Sequence, residues 1–271
     1  MPRIIAASPV GCYLPLPGTG VKVGRVPADP LAPLLDLPGV ADAVARARAA
    51  VDGLLANRTL RRRSADVSAE SALRGAWASA VLSGDGVSLA DVRLGAARSD
   101  PVVQGALRAH AAVATLTDTW THAPRQALAR LHALAAAGLV PDKEELGRPA
   151  PGTAERMDTL AEVLALTTSP AVLVAGIVHG EVLGLDVFPP ASGVVARAAV
   201  RLTLIERGLD PKSLVVVEAG HRELAAEYGP ALAAYRTGTP EGIAQWLVHC
   251  AGAVVAGARE AVAICEAIAR G

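Results

Sequence analysis

The chain has 271 residues, and its 26 basic residues balance 26 acidic ones. That balance excludes a global field that would draw nucleic acid or an anionic membrane to the surface. The length suits one large domain or one and a half, and a hydrophobic fraction of 52% with only 3% aromatic residues suits helices packed closely on Ala and Val.

Residues 1–38 hold many of the prolines and several glycines, which predicts an extended N-terminal arm ahead of a helical domain over 39–271. The apolar patch near the start is broken by prolines too soon for a signal-peptide core. Periodicity then predicts a helix over 40–55, ending near Asn57. The cluster Arg61, Arg62 and Arg63 reads as a solvated helix start or turn, with an anion site as the competing reading. A helical pattern over 69–84, with Trp77 on its buried face, is broken by Gly84-Asp85-Gly86. Ser88 can cap a short helix over 89–95.

Longer helical patterns cover 102–118 and 124–138, the second stopped by Gly138, and a loop follows over 141–152. Further helices are expected at 154–166, 171–185, 193–207, 221–235 and 240–270, with a break near Gly257 left open. Only 213–217 has strand character. The fold class is all-α, without an internal repeat.

Lys22, Lys143 and Lys212 are the only lysines, a skew toward Arg that reads as codon bias of a high-GC bacterium. Cys12, Cys250 and Cys265 lack metal-type spacing and suit buried thiols in a reducing cytoplasm. The longest apolar run, 171–178, stops at His179 and Glu181, short of a membrane span. The expectation is therefore a cytoplasmic protein with no membrane or nucleic-acid partner, no metal and no cofactor.

The residues with most to say about chemistry lie between Val178 and Arg201. Laid on the pattern H-x-F-x-D/E-G-N-G-R-x-x-R, Phe188, Gly193 and Arg197 match, while Asp186, Pro190, Ala191, Ser192 and Val194 do not. That pattern is the signature of the Fic-domain (Fic/DOC) family, which the chain resembles in degenerate form. The resemblance continues in the H-x-x-F-x-x-I-H-P-F register at His179, Val182, Leu185, Asp186, Val187 and Phe188. It continues also in LARLHALAAAG at 128–138, in Leu146-Gly147-Arg148, and in RLTLIERGLDP downstream. Together these cover about residues 65–265.

The resemblance implies a Fic-like helical bundle and a loop-helix site whose chemistry is largely missing. The family's His is a general base that takes a proton from a target hydroxyl attacking a nucleotide phosphate, and Asp186 stands in its place. An acidic residue normally holds a metal on the phosphates, and Pro190 cannot. Ser192 stands in the glycine-rich turn that cradles phosphate through backbone N–H groups. The phosphate-clamping first Arg is Val194; such contacts are worth ~1.5–3 kcal/mol each. Loss of the base alone removes a further ~10²–10⁴-fold in rate.

Two more elements of the resemblance are altered. The family's inhibitory stretch, S/T-x-x-x-E-G/N, has a Glu facing the second signature Arg, and here Ser79 to Gly84 carries Ser83 at that position. The target-docking hairpin after Arg148 is too short for two pairing strands; Arg148 marks a vestigial flap or a solvated loop.

For what remains, Phe188 reads as core. Arg197 reads as a bond to a neighbouring helix or to Glu181, with weak anion binding at Gly193 and Arg197 as the competing reading. His179 and Asp186, seven apart on one helix face, read as a structural hydrogen bond rather than a dyad. The balance favours a catalytically silent, Fic-like regulatory scaffold that binds a protein partner, with self-association left open. The resemblance links such chains to bacterial morphological differentiation. The competing class is a nucleotide or phosphate-group transferase with altered chemistry that uses Asp186 and His179.

Overall fold

The computed structural model describes residues 29–271, so the arm predicted over 1–38 lies mostly outside the described residues. Its last part is anchored: Leu31 is fully buried and residues Ala32–Asp36 wind into a 3₁₀ turn. The Asp29 carboxylate holds this end. It accepts from Leu31 N at 2.9 Å, from the Thr167 hydroxyl at 2.7 Å and from Thr168 N at 2.8 Å. Burial alone would raise its pKa, but these donors outweigh burial and lower it to about 2.

Eleven α-helices follow among the described residues, and no strand. They are α1 (Val40–Leu55), α2 (Leu60–Leu82), α3 (Leu89–Leu94), α4 (Pro101–His122), α5 (Pro124–Ala136), α6 (Ala154–Leu166), α7 (Ala171–Gly184), α8 (Ser192–Glu206), α9 (Val217–Glu223), α10 (Ala225–Arg236) and α11 (Pro240–Arg270). The class is the one expected from sequence. Local signals set many of the boundaries. Ser88 accepts from Asp91 N to start α3, Asp100 accepts from Val102 N and Val103 N to start α4, and Thr239 accepts from Gly242 N to start α11.

The centre is α7, buried on almost every face, with α8 folding back along it and α11 and α10 packed on other sides. α11 is long and apolar enough by length and composition to cross a membrane, but here its apolar side is buried against α1, α7, α9 and α10. Glycines let helices approach to backbone contact. A Cβ on Gly105 of α4 would lie 2.0 Å from the Ala135 carbonyl of α5, and one on Gly220 of α9 would lie 2.0 Å from the Ala253 carbonyl of α11. This is how a chain so poor in aromatics reaches a dense core.

Three expectations are corrected. The segment 213–217 is not a strand: the Asp210 carboxylate takes the N–H groups of Leu214 and Val215 at 2.9 and 2.8 Å, and Val216 N bonds to the Gly257 carbonyl. Its apolar run reflects burial on all sides rather than sheet pairing. The helix expected over 221–235 is two helices, broken at Leu224 (φ −96°, ψ 30°). α11 continues through Gly257, because that glycine is needed for contact with the Val216 carbonyl rather than for a bend.

Candidate functional site

The loop from Leu185 to Ala191 joins α7 to α8 and is held from both sides. Phe188 is buried, with its ring centroid 5.2 Å from that of His132 on α5. Phe188 N donates to the Ser192 hydroxyl at 2.8 Å, and Ala191 N donates to the Phe188 carbonyl at 2.8 Å. Ala150 N, from the loop before α6, donates to the Val187 carbonyl at 2.7 Å. A single backbone bond thus lays that loop on the candidate site where a docking hairpin would need two strands.

Asp186 lies on the exposed rim in the left-handed region, at φ 48°. Pro190 is exposed and Val194 is buried, and neither side chain offers a ligand atom. No side chain caps α8, and Gly193 in its first turn is half-buried between buried Ser192 and Val194. Arg197, one turn in, is 2% exposed. Its guanidinium lies against Gly193, where a Cβ would meet Nη1 at 3.0 Å.

The donors of Arg197 turn away from the loop toward the C-terminal end of α2. Nε donates to the Ser79 hydroxyl at 2.9 Å, Nη2 to the Ser79 carbonyl at 2.9 Å and to the Ser83 hydroxyl at 3.1 Å, and Nη1 to Tyr228 OH at 3.3 Å. All four acceptors are neutral. The negative end of the α2 dipole and its last carbonyls compensate the charge. Arg197 therefore bonds to a neighbouring helix and not to Glu181, which pairs with Arg156 at 2.7 Å and accepts from Tyr235 OH at 2.6 Å.

The hydrogen bond expected between His179 and Asp186 is absent. α7 ends at Gly184, so the helical register that would align the two is lost before Asp186, which turns to solvent. His179 is fully buried, and its Nε2 meets Tyr228 OH at 2.7 Å.

Two groupings were not foreseen from sequence. One is a buried ion pair: Arg201 donates to Glu218 from Nε at 2.8 Å and Nη2 at 2.7 Å, and His110 Nε2 lies 3.0 Å from the same carboxylate. Burial would raise the pKa of Glu218, but Arg201 and His110 outweigh it and hold the group well below the usual carboxylate range. The other gathers His179 of α7, His221 of α9 and Tyr228 of α10 with Trp246, His249 and Cys250 of α11. Burial, and then repulsion from Arg197 and the neighbouring imidazoles on protonation, push both His179 and His221 well below the ordinary imidazole pKa. Burial pushes the Cys250 thiol well up. No spacing signal marks this cluster, because its members come from four helices.

A depression of about 480 Å³ lies beside the loop, with Pro124, Leu128, Met157 and Phe188 on its apolar side and His122, Arg125 and Gln126 on its polar side.

No protein-family model matches the chain, and no curated protein matches it. Solved structures do. A Fic family protein from Desulfovibrio desulfuricans G20 superposes with a TM-score of 0.67 at 20% identity, over 83% of this chain and 74% of that one. Fic-1 (residues 134–508) from C. elegans superposes with a TM-score of 0.63 at 16% identity, over 87% of this chain and 75% of that one. The chain has the Fic helical fold.

Proposed function

We propose that this Fic-fold chain is a pseudoenzyme, silent in nucleotide transfer, that acts as a regulatory scaffold through protein binding. The observation that carries the reading is the environment of Arg197. A phosphate clamp must present N–H groups to its ligand, and this guanidinium is buried with four bonds into Ser79, Ser83 and Tyr228. Asp186 on the rim and Pro190 beside it supply neither an imidazole base nor a metal ligand. A transferase using Asp186 with His179 would need both in one site, whereas His179 is sealed against Tyr228. The depression beside Phe188 supports the binding half of the proposal, since Pro124, Leu128 and Met157, edged by His122, Arg125 and Gln126, suit a side chain of a protein partner.

The test has two parts. Incubation with labelled nucleoside triphosphates and a lysate is expected to label nothing above a denatured control, while Asp186→His combined with Pro190→Asp, Ser192→Asn and Val194→Arg is the arm that seeks restored transfer. Labelling by the unaltered chain would overturn the silence. For binding, a photo-crosslinking residue at Gln126, on the rim of the depression, is expected to trap one discrete protein. No adduct there would remove the support for a scaffold.

A further inference from the structure

The reading above uses His179 only as a residue sealed away from Asp186 and leaves the histidine–cysteine cluster without a role. Ligand atoms of His179, His221 and Cys250 all lie within 4.8 Å of one another, on three helices, and all three residues are buried. Most buried imidazoles have both ring nitrogens engaged. His179 does not: its Nδ1 is buried without a hydrogen-bond partner. We propose that His179, His221 and Cys250 form a binding site for one soft monovalent d¹⁰ cation, Cu(I).

Three features of the cluster carry the assignment. First, each histidine has its other nitrogen fixed by a neighbour, as metal-bound imidazoles usually do. His179 Nε2 pairs with Tyr228 OH at 2.7 Å, and His221 Nδ1 pairs with His249 Nε2 at 3.0 Å. Metal binding at His179 Nδ1 selects the tautomer that carries the proton on Nε2, facing Tyr228 OH, and leaves the lone pair on Nδ1. His221 binds through Nε2.

Second, the donor set is two imidazoles and one thiol with no carboxylate, which suits a soft ion over magnesium, calcium or manganese. Third, the local charge favours a single positive charge. One thiolate neutralises Cu(I), whereas Zn(II) would leave a net positive charge in a buried site next to Arg197. Zinc also wants a fourth ligand. Ligand atoms around such an ion stand roughly 3.3–3.9 Å apart, so side-chain rotation must draw the three together by about 1 Å. On binding, the Cys250 S–H bond breaks, an S–Cu bond forms, and one proton leaves to solvent for each ion taken up.

The test uses the full chain carrying Cys12→Ser, under anaerobic conditions, with Cu(I) supplied as its bathocuproine disulfonate complex. One equivalent of Cu(I) is expected to transfer to the protein, and X-ray absorption of the loaded chain is expected to show imidazole and one sulfur around copper. Cys250→Ser and His179→Gln should each weaken binding by more than the roughly 10–100-fold that loss of an outer-shell partner costs. Tyr228→Phe should fall within that range. Circular dichroism checks that each variant folds, and the absorption spectrum of the loaded chain decides the matter without any of them. The proposal is overturned if the chelator keeps the copper, if the spectrum lacks sulfur, if a folded Cys250→Ser chain binds as tightly, or if Zn(II) is held more tightly than Cu(I). None of these outcomes bears on nucleotide transfer, so the two proposals fail separately.

Discussion

Arg197 and Arg201 stand one turn apart on α8, yet only Arg201 has a carboxylate, Glu218, whose oxygens it meets at 2.8 and 2.7 Å. Arg197 has hydroxyls and a helix end. The two cations therefore differ in what their removal strands. Arg201→Met leaves Glu218 buried beside His110 without its main counter-charge, and breaking a buried pair in this way costs about 3–5 kcal/mol. Arg197→Met strands only neutral groups while relieving a buried charge, and is expected to change stability by less than about 2 kcal/mol. Urea unfolding of both variants checks the contrast, and equal losses would contradict it.

The same geometry limits nucleotide binding. The uncapped start of α8 and one cation supply ~1–3 kcal/mol, which corresponds to millimolar binding at best. Calorimetry with ATP and magnesium is expected to show no micromolar interaction. A micromolar dissociation constant that disappears in Arg197→Ala would mean that the guanidinium leaves Ser79 and Ser83 for phosphate.

Acid should destabilise the fold in two stages. His179 and His221 have folded pKa values well below their unfolded value near 6.5. Between those values the unfolded chain binds more protons, so their contribution is complete above pH 6.5 and is lost as pH falls below it. Each contributes a slope of about 1.4 kcal/mol per pH unit in that window. Glu218 and Asp29 are also lowered and act in the same direction at lower pH, below the usual carboxylate range. Urea midpoints measured from pH 8 to pH 2 should be flat, fall below pH 6.5, and fall again in the carboxylate window. A rise between pH 6.5 and 5 would show that the histidines are not buried neutral.

Close helix approach predicts opposite results at two glycines. Gly105→Ala places a methyl group 2.0 Å from the Ala135 carbonyl, so α4 and α5 must separate, at a cost of about 1–3 kcal/mol or more. Gly53 is exposed on α1 with nothing near its absent Cβ, and Gly53→Ala should stabilise by about 0.5–1 kcal/mol. Thermal unfolding distinguishes the two, and a neutral Gly105→Ala would mean the helices are not in backbone contact.

Most of the helices, and the loop between α7 and α8, are legible along the chain. α1 and α6 begin and end where periodicity placed them, and Ser88 caps α3 as expected, because these signals are local and act within a turn or two of chain. The sequence also marked Ser83 as the residue facing Arg197, through a resemblance in order and spacing that the 3.1 Å bond now makes concrete. Tertiary structure alone decided the rest. The run 213–217 looked like a strand because burial on all sides and sheet pairing select the same apolar residues, and only the position of Asp210 and Gly257 separates the two. Asp186 looked aligned with His179 because residue spacing assumes that a helix continues, and α7 stops first. Glu218 reaches Arg201 and His110, and His179 reaches His221 and Cys250, only when α4, α7, α8, α9 and α11 pack. Long-range pairing leaves no period in a chain, so the charges and ligands that meet in the core cannot be read along it.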